Sequence, residues 1–300
     1  MAILEAFAVP HPPIIIAGVG RGEEHGAQLT LDAYHEVGRR IAQLEPELIV
    51  ISTPHGSLYR DALCVTTSSS GAGVWGDMAD FRDPKDRLDL SLDQDFITAL
   101  TREAQLEGLP VVAQPEPKDK LDHGCMVPLL FIAQYLKSDF KIARIGISFL
   151  DYQTHYRMGQ CVTRAVEACN RRTVYVASGD LSHRLKPDGP YGFNPAGPQF
   201  DQQITQMFAQ GDLDALMRFD GDFCDEAAEC GLNSFIMMAG ALDGLTVEPH
   251  LLSYQGPWGV GYGVARFMPI NTAANPAHDP SADEADPCSP ANQQPEPTDL

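Results

Sequence analysis

Apolar residues fall along this chain in short uninterrupted blocks, separated by longer stretches with helical spacing. The blocks Ile3–Val9, Leu48–Ser52, Leu109–Ala113, Phe140–Ser148 and Thr173–Ala177 have the length and continuity of strands buried on both faces. Between them, Tyr152–Asn170 repeats Met158, Cys161, Val162, Ala165, Val166 and Cys169 at i, i+3, i+4, which predicts an amphipathic helix. The segments Leu29–Leu44, Leu92–Leu106, Met126–Leu136 and Gln199–Ala209 also read as helices, and Phe235–Leu242 as a further apolar one. Strands apolar throughout and alternating with helices predict an α/β fold: a mostly parallel central sheet with helices on both faces. The end of the pattern differs. Thr246–Tyr254 and Gly259–Met268 are consecutive strands joined by the turn-prone Gln255-Gly256-Pro257, an antiparallel addition near the C-terminus.

Composition sharpens this picture at one place. Residues 271–300 hold six prolines, six acidic residues, no lysine or arginine and no aromatic residue. Such a stretch buries too little apolar surface to offset the entropy lost on ordering, so it is expected to be a disordered acidic tail behind a single α/β domain over residues 1–270. The formal net charge of -20 argues against nucleic acid or an anionic membrane as a partner, because both demand clustered Lys and Arg. No apolar run approaches the roughly 20 residues of a membrane span, and the first residues have neither a basic leader nor a small-residue cleavage site. A soluble, cytoplasmic protein is the expectation. Its seven cysteines form no C-x-x-C pair and are odd in number, unlike a disulfide framework or a structural zinc site.

The chemistry gathers where strands end. Ile3–Val9 runs into Pro10-His11-Pro12-Pro13, Leu48–Ser52 into Thr53-Pro54-His55-Gly56, and Thr173–Ala177 into Ser178-Gly179-Asp180-Leu181-Ser182-His183. Ligands of open parallel sheets bind beyond the carboxyl ends of the strands, so three strands would deliver imidazoles to one edge. Taken singly, a histidine after a strand is an ordinary hydrogen-bonded loop residue; three in equivalent positions point to a shared site. Two or three imidazoles beside one carboxylate suit a divalent transition metal, either non-haem Fe(II) with open positions for substrate and oxygen, or zinc. Asp180, Asp225, Glu226 and Glu229 are the carboxylate candidates, and Glu229 precedes an apolar helix whose N-terminus favours an anion. His123, in Leu121-Asp122-His123-Gly124, precedes another helix and could line the pocket. The glycine-rich Gly256–Gly263 stretch lacks the Lys-Ser/Thr of a phosphate loop, and no G-x-S-x-G elbow is present.

Taken together and in order, these five segments, with Glu229-Cys230-Gly231 as the last, resemble the LigB-type class III extradiol ring-cleavage dioxygenases, in the branch shared with the MEMO-like proteins. The resemblance spans roughly residues 1–270. It implies a single-domain α/β catalytic unit with a mononuclear Fe(II) site, His11, His55 and Glu229 as metal ligands, His183 as catalytic acid/base and His123 as a pocket histidine. It further implies a small catechol-like or aminophenol substrate, O2 as co-substrate, and a homo-oligomer or pairing with a small subunit. MEMO-like members carry Cys-Gly where the dioxygenases place their glutamate, and here Glu229 and Cys230 stand side by side, so either could face the metal. Two alternatives stay open: a MEMO-like metal, redox or ligand-binding protein without dioxygenase activity, and a zinc-dependent hydrolase on the same scaffold.

Overall fold

Five of the predicted apolar blocks become strands of one sheet in the computed structural model, which describes residues 3–69, 71 and 73–270. In chain order the strands are β1 (Ile3–Val9), β2 (Leu48–Thr53), β3 (Leu63–Thr67), β4 (Val74–Met78), β5 (Asp83–Leu92), β6 (Val111–Pro115), β7 (Lys141–Gly146), β8 (Thr173–Ser178), β9 (Val247–Gln255) and β10 (Tyr262–Pro269). The helices are α1 (Ala17–Gly20), α2 (Gln28–Leu44), α3 (Gln94–Leu106), α4 (His123–Tyr135), α5 (Tyr152–Cys169), α6 (Ala196–Gln210), α7 (Gly221–Ala227) and α8 (Leu232–Ala241). The fold is the expected mixed α/β one. Its main path runs β4-β5-β7-β2-β8-β1-β10-β9, with β3 and β6 branching from β7. The acidic tail expected at 271–300, with His278 and Cys288, lies outside the described residues.

The centre of the sheet is parallel and fully buried. β1, β2, β7 and β8 pair in parallel, and every residue of β2 and β8 is buried, as continuous apolar runs require. β10 pairs antiparallel with β1, and β9 with β10, which is the C-terminal addition read from the pattern. Further antiparallel pairings, β3 with β7 and β4 with β5, lie towards the opposite edge. β3, β4 and β5 are not among the strands the apolar pattern gives. β5 is exposed at half of its positions and carries Pro84, so its signal is a weak two-residue alternation, Arg87-Leu88-Asp89-Leu90-Ser91-Leu92. Among the described residues no helix is long and apolar enough to cross a membrane.

This topology sets the site. β2, β8 and β1 are consecutive neighbours, in the order β2-β8-β1. Their registers pair Ser52 with Ala177 and Val9 with Ser178, so the three chains leave the sheet at nearly one level. The loops bearing His55, His183 and His11 therefore emerge side by side.

Candidate metal centre

The β1 loop is pinned before any ligand is considered. Tyr34, fully buried on α2, donates its hydroxyl to the Pro10 carbonyl, and the His11 amide donates to Asp180 Oδ1 at 2.7 Å. His11 Nδ1 lies 2.9 Å from Ser178 Oγ, which is itself 2.5 Å from the Gly124 carbonyl. A carbonyl only accepts, so the single proton of the Ser178 hydroxyl goes to Gly124, and the hydroxyl must accept from Nδ1–H of His11. That fixes the tautomer: the lone pair of His11 sits on Nε2, facing the centre of the site.

Opposite it stands His55. Its amide donates to Thr53 Oγ1 at 3.2 Å, and Thr53 in turn donates to Asp122 Oδ1 at 2.9 Å. His55 Nε2 is 3.0 Å from His11 Nε2. His123 is the first residue of α4, whose N-cap Asp122 accepts from the Cys125 amide at 3.2 Å. Its ring lies 4.0 Å from that of His55 and 5.4 Å from that of His11, centroid to centroid. All three imidazoles are neutral at pH 7. Burial first, then repulsion from His55, holds His11 well below the usual histidine range. Burial and the neighbouring His123 bring His55 to about 4, and burial and His11 bring His123 to about 4.

The third member of the cluster comes from the turn before α8. Cys230 Sγ lies 3.7 Å from His11 Nε2 and accepts from the Asp180 amide at 3.3 Å. One donor atom each from His11, His55 and Cys230 lies within 4.8 Å of the others. This approach depends on two glycines. A methyl group on Gly179 would overlap Gly231 Cα, and one on Gly231 would meet the Phe235 ring and the Asp180 carbonyl. Only bare backbone lets the turn at Cys230 close onto the end of β8. Burial pushes the Cys230 thiol well above its ordinary range.

Glu229, the expected carboxylate ligand, points elsewhere. Its Oε2 accepts from the Leu232 amide at 2.6 Å, at the N-terminus of α8 where the sequence placed it. Besides burial, its charge raises Tyr152, Cys224 and its neighbour Cys230. Burial raises its carboxyl to about 7. Asp180 is raised to about 6, also by burial, against the opposing pull of His183 and the His11 amide. His183 occupies the β8 loop, its amide donating to the Ala227 carbonyl at 3.2 Å and its ring edge-on to Tyr191 at 5.2 Å. Its Nδ1 is buried without a hydrogen-bond partner.

The structure thus brings His11, His55, His123 and Cys230 together, sets His183 beside them, and directs Glu229 to a helix cap. Sequence reasoning missed Ser178, although it stands inside a quoted motif, and Arg144, the one cation within the apolar stretch Ile142–Ser148. Arg144 is fully buried beneath His55 and donates to its carbonyl.

A family model for the catalytic LigB subunit of aromatic ring-opening dioxygenase matches residues 5–265. The chain is 38% identical over 274 residues to a protein of Clostridium acetobutylicum, the match covering 89% of this chain and 58% of that one. It therefore spans little more than half the length of that relative. Over 252 residues it is 23% identical to 3,4-dihydroxyphenylacetate 2,3-dioxygenase of Escherichia coli, covering 79% of this chain and 89% of the relative. A MEMO1 family protein of Methanocaldococcus jannaschii is 26% identical over 166 residues, 54% of this chain and 51% of that protein. The crystal structure of an uncharacterised protein from Escherichia coli K12 shares the fold, with TM-score 0.59 and 16% identity over 88% of this chain and 99% of that one.

Proposed function

This chain belongs to the LigB family of catalytic subunits of aromatic ring-opening dioxygenases, and from that premise we propose that it holds one Fe(II) ion at His11 and His55 and opens the ring of a small catechol-like diol or aminophenol with O2. The observation that carries this reading is the pair of Nε2 atoms 3.0 Å apart on neutral imidazoles, one with its tautomer fixed by Ser178. Two ligand nitrogens each about 2.1 Å from one ion, at right angles, stand about 3.0 Å apart. When His55 carries its proton on Nδ1, both Nε2 lone pairs face one point and a cation there satisfies both; when the proton is on Nε2, His55 donates to His11 instead. The third donor the geometry offers is Cys230, in place of the Glu229 that the family resemblance suggests.

Bound there, the metal would supply a shared coordination point for the two diol oxygens and for O2. The chain's own residues do the rest. His123, neutral at pH 7 and against the His55 ring, can hydrogen-bond a substrate oxygen without adding charge. His183, with one ring nitrogen buried and unpartnered, can carry a proton between substrate and product as the ring C–C bond beside the diol breaks. Phe81, edge-on to His123 at 5.2 Å, and Tyr191, edge-on to His183, offer aromatic walls to a planar ring.

The thiol favours a second reading. A His2Cys donor set is softer than two imidazoles and a carboxylate and suits copper or zinc as well as iron. On this reading the protein is a MEMO-like metal or redox protein without ring-opening activity. Anaerobic Fe(II) reconstitution followed by oxygen uptake against catechols, protocatechuate-like acids and aminophenols separates the two. Iron-dependent uptake with a yellow ring-opened product supports the dioxygenase, and His183→Ala should then keep iron and lose most turnover. Copper binding that depends on Cys230, with no iron-dependent uptake, supports the second reading. Co-purified zinc with hydrolytic activity that needs no O2 would overturn both.

A further inference from the structure

The strongest unexplained feature is a charge in the core. Arg144 lies on β7 within a strand otherwise apolar from Ile142 to Gly146, and its side chain is fully buried. A buried guanidinium is costly unless its donors are matched, and a hydrophobic side chain of similar size would fill the same space at no such cost. Both terminal nitrogens are matched here, while Nε faces Asp122 as an ion pair without a hydrogen bond, and the partners share a location. Arg144 donates to the His55 carbonyl, to Glu116 Oε1 at 2.6 Å and to Thr66 Oγ1 at 3.2 Å, and its Nε lies 3.4 Å from Asp122 Oδ2.

Three of these partners belong to the loops that carry His55 and His123. Glu116 also accepts from the amide and hydroxyl of Ser57, at 3.0 and 2.9 Å, so the His55-Gly56-Ser57 turn is held from both ends by one ion pair. Asp122 caps α4, which begins with His123, and also accepts from Thr53 just before His55. Between these anchors Gly56 has φ +79°, and a methyl group there would strike the guanidinium. The turn is shaped to admit Arg144.

We propose that Arg144 is the positioning residue of this centre: a single buried guanidinium sets the His55 imidazole directly and the His123 imidazole through Asp122. It touches no substrate or metal and acts through the two rings. A merely structural role would stabilise the fold without altering the rings' order or the centre's affinity in the folded protein. The planar fork of Arg explains the choice over Lys, since a point-like ammonium cannot serve a carbonyl and a carboxylate in fixed directions together.

The test uses three full-length proteins: wild type, Arg144→Lys, and the double variant Arg144→Met with Glu116→Gln. The double variant removes the cation and its nearest carboxylate together, so that no unpaired Glu116 charge remains to unfold the chain. Each is verified as folded by near-UV circular dichroism well below its melting temperature. Two readouts follow: the imidazole 15N resonances of His55 and His123 without metal, and Co(II) titration followed by its visible spectrum. The binding readout rests on the metal site proposed above; the imidazole readout does not. Positioning predicts broadened or shifted His55 and His123 resonances, and Co(II) affinity about 10- to 100-fold weaker in the double variant, with Arg144→Lys between it and wild type. Unchanged imidazole resonances together with equal Co(II) affinity and spectra in folded variants would overturn the proposal. If wild type itself binds no Co(II), the metal reading fails and the imidazole resonances alone decide: unchanged, they overturn the positioning role; perturbed, they support it.

Discussion

Asp201 gives the sharpest quantitative test of the site's surroundings. It is fully buried on α6 and accepts from the Ser182 amide and the Tyr254 hydroxyl, both at 2.8 Å, so it anchors the loop that carries His183. Among the described residues no cation pairs with it, and burial raises its carboxyl to about 7 against those two hydrogen bonds. Because the folded value lies above the ordinary 3.8, the native state holds a proton that the unfolded chain has released between those values. Stability from this group is therefore full below about pH 4 and is lost as pH rises towards 7. The slope is about 1.4 kcal/mol per pH unit and flattens as pH nears 7, so roughly 2 kcal/mol disappears between pH 5 and 7. Asp201→Asn keeps an acceptor for the Ser182 amide, turns an N–H towards the Tyr254 oxygen, and cannot titrate. Urea denaturation across pH 5–8 measures the effect. Glu229 and Asp180, raised to about 7 and about 6, add slope to both proteins, so the difference between the two curves isolates Asp201. Wild type should lose about 2 kcal/mol relative to Asp201→Asn between pH 5 and 7. Parallel curves would refute the assignment of a buried, unpaired acid behind the His183 loop.

The other predictions concern the centre itself. Cys230→Ser replaces a soft donor with a hydroxyl and should weaken divalent-metal binding by on the order of 100-fold, whereas Glu229→Gln keeps the Leu232 cap and should leave binding unchanged; the reverse order, read by calorimetric titration, would return Glu229 to the metal. Ser178→Ala removes the acceptor that fixes the His11 tautomer and should cost about 10- to 100-fold in metal affinity with little change in melting temperature; unchanged affinity would mean that His11 needs no fixed tautomer. Gly56→Ala must take a left-handed backbone and displace the guanidinium, and should destabilise the fold by more than about 2 kcal/mol in urea, with no rescue by metal. A variant as stable as wild type would show that the turn tolerates another path.

Much of this was legible in one dimension. β1, β2 and β8 are buried on both faces, so their sequences read as unbroken apolar runs, and the Pro and Gly that end them mark where His11, His55 and His183 leave the sheet. β1 appears with its predicted bounds and β2 within a residue. Half-exposed β5 obeys no such rule: its charged alternation is held by its hairpin partner β4 and, far along the chain, by β7. The α8 cap was equally local, since a carboxylate before an apolar helix satisfies free N–H groups wherever that helix packs.

By itself, then, the sequence determined which strands form the buried centre, which loops carry imidazoles, and that a carboxylate stands at the N-terminus of the apolar helix after it, because each depends on periodicity or on neighbours a few residues away. Tertiary structure alone decided which of two adjacent residues faces His11. One residue's rotation along the Glu229-Cys230 turn exchanges carboxylate for thiol, and that rotation is set by Gly179 meeting Gly231, 52 positions away. It also decided the meaning of Arg144: in the sequence the one cation between Ile142 and Gly146, in the fold the point where Glu116, Asp122 and the His55 carbonyl converge, because a buried charge must be met by partners that only packing can bring.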